Sequence, residues 1–185
     1  MLSTGATLLM VSLAANAAAA DRPELPRATI EAGLKKAACT IPPRDAKIVG
    51  TEWLGHRLQI VEVSCWRSKN DSGSILFAVP TDGAEPPQLI MTEHWNGWRV
   101  EPGYRVASPS YDRKTRTLGS VREKRTTGDC GTIREWKWTG WSFRLIQVAD
   151  KSICDGEPFD WDSSRKWQVF PGRESMIPDE QTLVR

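Results

Sequence analysis

The sequence has almost no excess of either charge and no long basic run. Its 25 lysines and arginines stand against 23 acidic residues, with the two signs interspersed along the chain. A surface that recognises nucleic acid needs clustered cations that face phosphates. We therefore expect no nucleic-acid partner.

The sequence is also poor in histidine, which limits the catalytic sites it can form. Nucleophilic catalysis usually needs a histidine beside a serine or cysteine, and the two imidazoles are His56, near a predicted hairpin connection, and His94, beside Trp95. Neither G-x-S-x-G nor H-E-x-x-H occurs, and no C-x-x-C pair supports a zinc site. No cofactor or metal is expected.

Carboxylates are the remaining source of catalysis. A glycosidase can use two of them, and Asp129 with Asp160 or Asp162 are candidates, although spacing in the sequence does not bring them together. A carboxylate-based hydrolase is therefore kept as an alternative. Calcium at Asp160 and Asp162 is less favoured than a solvated strand face, because calcium needs six or more oxygen ligands.

The length of the chain, 185 residues, fits one folded domain. We divide it into a cleaved signal peptide at residues 1–20, a single disulfide-bonded domain at residues 21–172 and a polar C-terminal tail at residues 173–185. No stable membrane span is expected.

The signal peptide is predicted from two features. Residues 8–13 form a short apolar core, and the alanines at 18–20 provide an A-x-A cleavage site before Asp21. An uncleaved anchor is the alternative, but the apolar part is shorter than the span of about 20 residues that a bilayer needs. Asn16 interrupts the alanine-rich stretch after that core.

Export places the cysteines in an oxidising compartment, where disulfides are the default. The four cysteines are Cys39, Cys65, Cys130 and Cys154. Three connectivities are open. The sequential pairing is favoured because each bridge then ties neighbouring elements.

Strand patterns dominate after one helix, which the spacing of apolar residues predicts at residues 28–38. In the strand at 57–66 the apolar set changes face between Ile60 and Val61, which predicts a bulge or a strand covered on both faces. The apolar run at 74–79 is typical of the centre of a sheet. We predict a mainly β fold, an antiparallel meander forming a sandwich or barrel with one N-terminal helix.

Nine tryptophans are the most unusual feature of the composition. Asn-Gly between Trp95 and Trp98 predicts a tight hairpin that sets the two rings across from each other. They either project as an aromatic platform or fold down onto the sheet, which is the more ordinary outcome for tryptophan.

A second hairpin is predicted around Thr139-Gly140, as a two-residue turn. It would pair Trp138 with Trp141 and Trp136 with Phe143, which gives four aromatic rings on one surface. Core packing is the expected role of this cluster. The shift of the apolar set after Leu145 predicts a further bulge.

Several motifs together carry a family resemblance. They are SGSILFAVP at 72–80, GDCG at 128–131, Trp-Thr-Gly at 138–140 with Phe-Arg-Leu at 143–145, Cys154, and Asp160-Trp161. This combination resembles the bacterial family called domain of unknown function 1176, over roughly residues 60–172. The resemblance implies an exported protein of a Gram-negative bacterium with Cys130 bridged to Cys154, and it implies no activity.

The leading functional hypothesis is a non-catalytic binding module in the periplasm or outside the cell. Its partner would be a protein of the cell envelope, such as a hydrolase to be inhibited, or a glycan. Trp95, Trp98, Asp160 and Asp162 are the candidate binding residues. A purely structural envelope component is a second alternative beside the hydrolase.

Overall fold

The computed structural model describes residues 25–68 and 71–171. The predicted signal peptide with its cleavage site and the predicted tail at 173–185 lie outside those residues. In chain order the elements are α1 (Arg27–Lys36), β1 (Ile48–Trp53), β2 (Leu58–Arg67), β3 (Ser72–Pro80), β4 (Gln88–Leu89), β5 (Met91–Trp95), β6 (Val100–Gly103), β7 (Arg105–Ala107), β8 (Pro109–Asp112), β9 (Thr117–Glu123), β10 (Gly131–Trp138), β11 (Ser142–Lys151) and β12 (Gln168–Phe170), with short 3-10 helices at Pro43–Asp45 and Ser164–Trp167.

Two sheets pack as a sandwich rather than a closed barrel, which confirms the predicted mainly β class. The first sheet has the order β1-β2-β3. Both β4 and β7 pair with the far edge of β3, β7 near its start and β4 near its end. The second has the order β6-β5-β11-β10-β9-β8, with β12 also beside β11. Neighbours are antiparallel except β5 and β11, which run parallel. That pairing departs from a simple meander.

The main core lies between the two sheets. Leu76 of the first sheet and Trp136 and Phe143 of the second are among its most buried members. Burial of large aromatic and aliphatic side chains there is the principal stabilising contribution of the sandwich.

Helix α1 covers the other face of the first sheet. Leu34 packs there with Val61 and Phe77, while Ile60 of the same strand β2 points into the main core. The prediction of a strand covered on both faces is therefore confirmed. A Cβ at Gly33 would lie 2.4 Å from the Phe77 ring, so glycine allows the close approach of the helix. At ten residues, this helix is far short of what a bilayer crossing requires.

The outer face of the second sheet is covered by the segment at residues 152–167. Phe159 packs on Ile133 and Ala149. Lys151 is fully buried below the segment, where its Nζ donates to Asp155 Oδ1 at 2.6 Å and lies 5.4 Å from the Trp167 ring.

Both disulfides have the sequential pairing that was favoured. Cys39 is bonded to Cys65 and joins the end of α1 to β2, and Cys130 is bonded to Cys154 and joins β10 to the covering segment. Each bridge ties neighbouring elements, as predicted.

The register predicted for both tryptophan hairpins is wrong. Trp95 pairs with Val100, not with Trp98. Four residues, not two, separate the paired positions, and within this loop Asn96 Oδ1 accepts from two backbone N–H groups further on. Trp98 therefore lies in the loop itself.

The second hairpin is displaced in the same way. Trp138 pairs with Phe143, and Trp136 pairs with Leu145. Trp136, Trp138 and Phe143 belong to the main core as expected, but Trp141 is 77% exposed, so its predicted place in the cluster is wrong. The bulge after Leu145 is confirmed, because the register shifts there.

Candidate binding loop

Residues 96–99 form the loop between β5 and β6, and hydrogen bonds fix its backbone. Asn96 N donates to Arg99 O at 3.2 Å, and Asn96 Oδ1 accepts from Trp98 N and Arg99 N, each at 3.0 Å. Gly97 has φ +103°, a conformation that L side chains rarely adopt. Asn-Gly is therefore compatible with this loop shape, because asparagine bonds the backbone two residues on and glycine tolerates a positive φ.

Trp98 stands almost free of the protein at this loop, with 91% of its surface exposed. Beside it, Arg99 Nε donates to Glu101 Oε1 at 2.7 Å, and this bond holds the pKa of the Glu101 carboxyl below its usual range. The loop thus presents an indole ring next to an ion pair. An indole left in water forgoes a large burial energy, so the arrangement suits a contact surface.

Trp95 lies in a different environment from Trp98. Its ring packs 5.2 Å from the ring of Phe170 in β12, centroid to centroid, and borders the main core. The structure therefore does not join the two rings in one platform, and Trp98 alone projects.

Asp160 and Asp162 flank Trp161 in the covering segment. Asp160 Oδ1 accepts from Ser163 N at 2.8 Å, and the hydrogen bonds from Ser163 lower the pKa of the Asp160 carboxyl. Trp161 lies on Gly119 of β9, where a Cβ would come within 2.8 Å of the indole. Asp160 thus shapes a turn that holds Trp161 on the sheet, while Asp162 faces solvent.

Asp129, the other candidate carboxylate, ties two loops together. Its Oδ1 accepts from Thr127 Oγ1 at 2.5 Å and its Oδ2 from Gly156 N at 2.9 Å. The bond from Thr127, followed by that from Gly156, lowers the pKa of the carboxyl, so it holds no proton to donate near neutral pH. The neighbouring Cys130 and Cys154 are joined in a disulfide, which leaves no thiolate for a metal.

Trp141 was predicted to lie in the aromatic cluster, but it is exposed in the loop between β10 and β11. It borders a groove of about 190 Å³ to which Glu85 and Gln88 also contribute. The exposure of Trp141 could have been predicted from the repeated motif Trp-x-Gly-Trp, which occurs at 95–98 and again at 138–141.

A half-buried carboxylate was missed in the sequence analysis. Glu62 of β2 points into the space between the sheets, where Ser74 Oγ donates to its Oε1 at 2.5 Å. Burial raises the pKa of this carboxyl, and the Ser74 bond offsets part of that effect. Its two neighbours along the strand are apolar, so alternation alone would place Glu62 on a solvated face. No local pattern shows that it is half-buried.

Comparison with known proteins agrees with the resemblance found in the motifs. Over residues 7–170 the sequence matches the family described as Protein of unknown function (DUF1176), and the chain belongs to that family. A curated relative, "Uncharacterized protein YpfG" of Escherichia coli (strain K12), is 28% identical over 65 residues, which are 35% of this chain and 18% of that protein. The match thus spans less than a fifth of the relative. No solved structure matches.

Proposed function

We propose that this protein is an exported binding module that recognises another protein through the loop at residues 96–99. The observation that carries the proposal is the 91% exposure of Trp98 on a loop whose backbone is fixed by three hydrogen bonds. Trp98 and Arg99 are the contact residues.

Energetics favour this loop as a contact. At about 25 cal/mol per Å² and about 200 Å² for an indole, burial of Trp98 by a partner is worth about 5 kcal/mol before the costs of association. Tryptophan and arginine are the residue types most enriched among interface hot spots. Because the loop is already ordered, little conformational entropy is lost when it binds.

The shape of the loop favours a protein over a glycan as the partner. A hairpin tip is convex, so it fits a concave partner surface such as the active-site cleft of a hydrolase. A glycan chain would need a groove on this protein beside the ring. The exposed Arg99–Glu101 pair at the rim would contribute to orientation more than to affinity.

The proposed location is the periplasm or the exterior of a Gram-negative bacterium. Two disulfides among the described residues suit an oxidising compartment. The signal peptide predicted at residues 1–20 supplies the route.

The test compares the wild-type chain with Trp98→Ala and, as a matched control, Trp141→Ala. Each is used to capture proteins from periplasmic extract and culture medium, and the affinity of a purified captured protein is then measured by calorimetry. Trp98→Ala should weaken binding by about 30-fold or more, the effect of a hot spot of about 2 kcal/mol. Trp141→Ala should change the affinity by less than about twofold.

Two results would contradict the proposal. Saturable binding of purified envelope polysaccharide that Trp98→Ala abolishes would identify a glycan module instead. The absence of any partner whose affinity depends on Trp98 would favour a purely structural role.

A further inference from the structure

A cleft opens between the two sheets at the edge formed by strand β1. Its volume is about 220 Å³, and it lies between β1 and β2 of the first sheet and β8 and β9 of the second. Pockets for drug-sized ligands begin at about 300 Å³, so this one suits a smaller molecule or a single side chain. It is formed by different strands from the loop at 96–99 and does not depend on the function proposed for that loop.

The floor of the cleft holds a carboxylate that lacks a cation. The Glu62 side chain is half-buried, and its one side-chain hydrogen bond within the described residues is the 2.5 Å bond to its Oε1 from Ser74. None of the ion pairs in that part of the chain includes Glu62. A carboxylate taken partly out of water without a cationic partner is in an unfavourable state that a bound cation would relieve.

Tyr111 of β8 also lines the cleft. Its ring is held edge-on to Phe143, with the centroids 6.0 Å apart. Its hydroxyl is buried and makes no hydrogen bond within the described residues, so a ligand in the cleft meets the ring and not the hydroxyl.

The remaining walls favour an apolar chain beside a positive head. Ile60, Leu76 and Leu118 line the cleft, and Glu52 adds a second carboxylate at β1. Arg113 and Arg116, in the turn between β8 and β9, are cations close enough to Tyr111 to affect it electrostatically. Both are exposed, so water and salt screen the repulsion that they would exert on a bound cation.

We propose that this cleft binds an alkyl ammonium group, with Glu62 Oε2 as the acceptor and the apolar walls around the carbon chain. An ammonium carries a positive charge, three donors and no acceptor, which matches a carboxylate that lacks a cation. The group can come from a free small amine or from a lysine side chain of a peptide. Gly50 leaves room for the carboxylate, because a Cβ there would lie 2.8 Å from Glu62 Oε2.

The test uses the whole chain, labelled with 15N, titrated with n-butylammonium chloride and with the blocked peptide acetyl-Ala-Lys-Ala-amide. Saturable shifts of the amide signals of β1 and β2 are expected with at least one of the two probes. A stronger response to the peptide identifies a lysine side chain as the source, and a stronger response to butylammonium identifies a free amine. The neutral isostere n-butanol should give no saturable shift.

Variants identify the acceptor. Glu62→Gln, which can still accept from Ser74, should weaken binding at least 10-fold. Tyr111→Phe, which keeps the ring and removes only the buried hydroxyl, should change the affinity by less than about twofold. Glu85→Gln, a carboxamide in the separate groove beside Trp141, should leave the affinity unchanged. The proposal is overturned if neither probe gives saturable shifts, if n-butanol binds as well as butylammonium, or if Glu62→Gln binds as tightly as the wild type.

Discussion

The two Trp-x-Gly-Trp loops of this protein are close copies in conformation. In each, the first loop residue donates its N–H to the carbonyl of the fourth, at 3.2 Å from Asn96 and at 3.0 Å from Thr139. The glycine after that residue has φ +103° in one loop and +107° in the other. In each, the tryptophan before the loop packs inwards and the one within it is exposed.

The loops differ in how firmly each is anchored. Trp138 is 8% exposed and lies 5.0 Å from the Phe143 ring in the main core, whereas Trp95 is half-buried against Phe170 of the short strand β12. One hairpin is therefore part of the core of the sandwich, and the other borders it. The position of a tryptophan relative to the turn, not its hydrophobicity, decides whether it packs in the fold or is exposed.

The largest effect should come from the inner ring of the second hairpin. Trp138→Ala removes a core indole and leaves a cavity, so it should lower the free energy of unfolding by about 3–5 kcal/mol. Trp141→Ala, three positions further along, should change it by less than about 0.5 kcal/mol. Urea unfolding measures both. Equal losses would mean that the exposed ring also supports the fold.

Acid should distinguish the hairpins next, because the first one carries a half-buried histidine. His94 Nε2 is hydrogen-bonded to Thr92 Oγ1 at 2.8 Å, and burial, followed by the charges of Arg134 and Arg105, lowers the pKa of His94 from 6.5 to about 4. The unfolded chain therefore takes up the proton first as the pH falls. Stability should fall by about 3 kcal/mol between pH 6.5 and pH 4.

The control for this prediction is His94→Gln. Its unfolding free energy should vary less over the same window, and the difference between the two curves isolates the histidine from carboxyl groups that titrate nearby. Amide exchange should speed up in β5 and β6 before it does in β10 and β11. Parallel curves for the two proteins would show that His94 does not titrate with a lowered pKa.

A third comparison concerns the residue that opens each loop. Asn96 Oδ1 accepts two backbone N–H groups at 3.0 Å, whereas Thr139 Oγ1 accepts one, from Ser142 N at 3.3 Å, and donates to Ser142 O at 3.0 Å. Ser142 O also accepts from Thr139 N, so it keeps a partner when the Thr139 side chain is removed. Asn96→Ala, which leaves two backbone N–H groups without that acceptor, should therefore cost about 1 kcal/mol, and Thr139→Ala about 0.5 kcal/mol. Thermal unfolding gives both values. A larger loss for Thr139→Ala would reverse the assignment of the better-fixed loop.

Local features were predicted well from sequence patterns, because such features depend on residues that are neighbours along the chain. The change of face between Ile60 and Val61 identified a strand covered on both sides, and the shift after Leu145 identified a bulge. Helix α1 and the central place of β3 were predicted from the same kind of periodicity.

The register of the hairpins and the cleft could not be predicted in this way. A two-residue and a four-residue loop fit the same Asn-Gly sequence, and the pairing of Trp95 with Val100 shows that this chain adopts the longer one. Glu62 and Tyr111 line one cleft because β1 and β2 of the first sheet lie opposite β8 and β9 of the second. That juxtaposition is a property of the tertiary fold, and no local pattern encodes it.

The smallest effect on stability, and the most direct test of the contrast between the loops, concerns Trp98. Trp98→Phe should change the free energy of unfolding by less than about 0.5 kcal/mol, because the indole makes little contact with the fold. It should nevertheless remove the tryptophan fluorescence most accessible to iodide, since Trp98 is 91% exposed and Trp141 is 77% exposed. Trp141→Phe should remove the second most accessible part, and Trp95→Phe the least of the three. If Trp98→Phe leaves the quenching curve unchanged, the ring is covered in solution, and the loop at 96–99 is not a free surface for a partner.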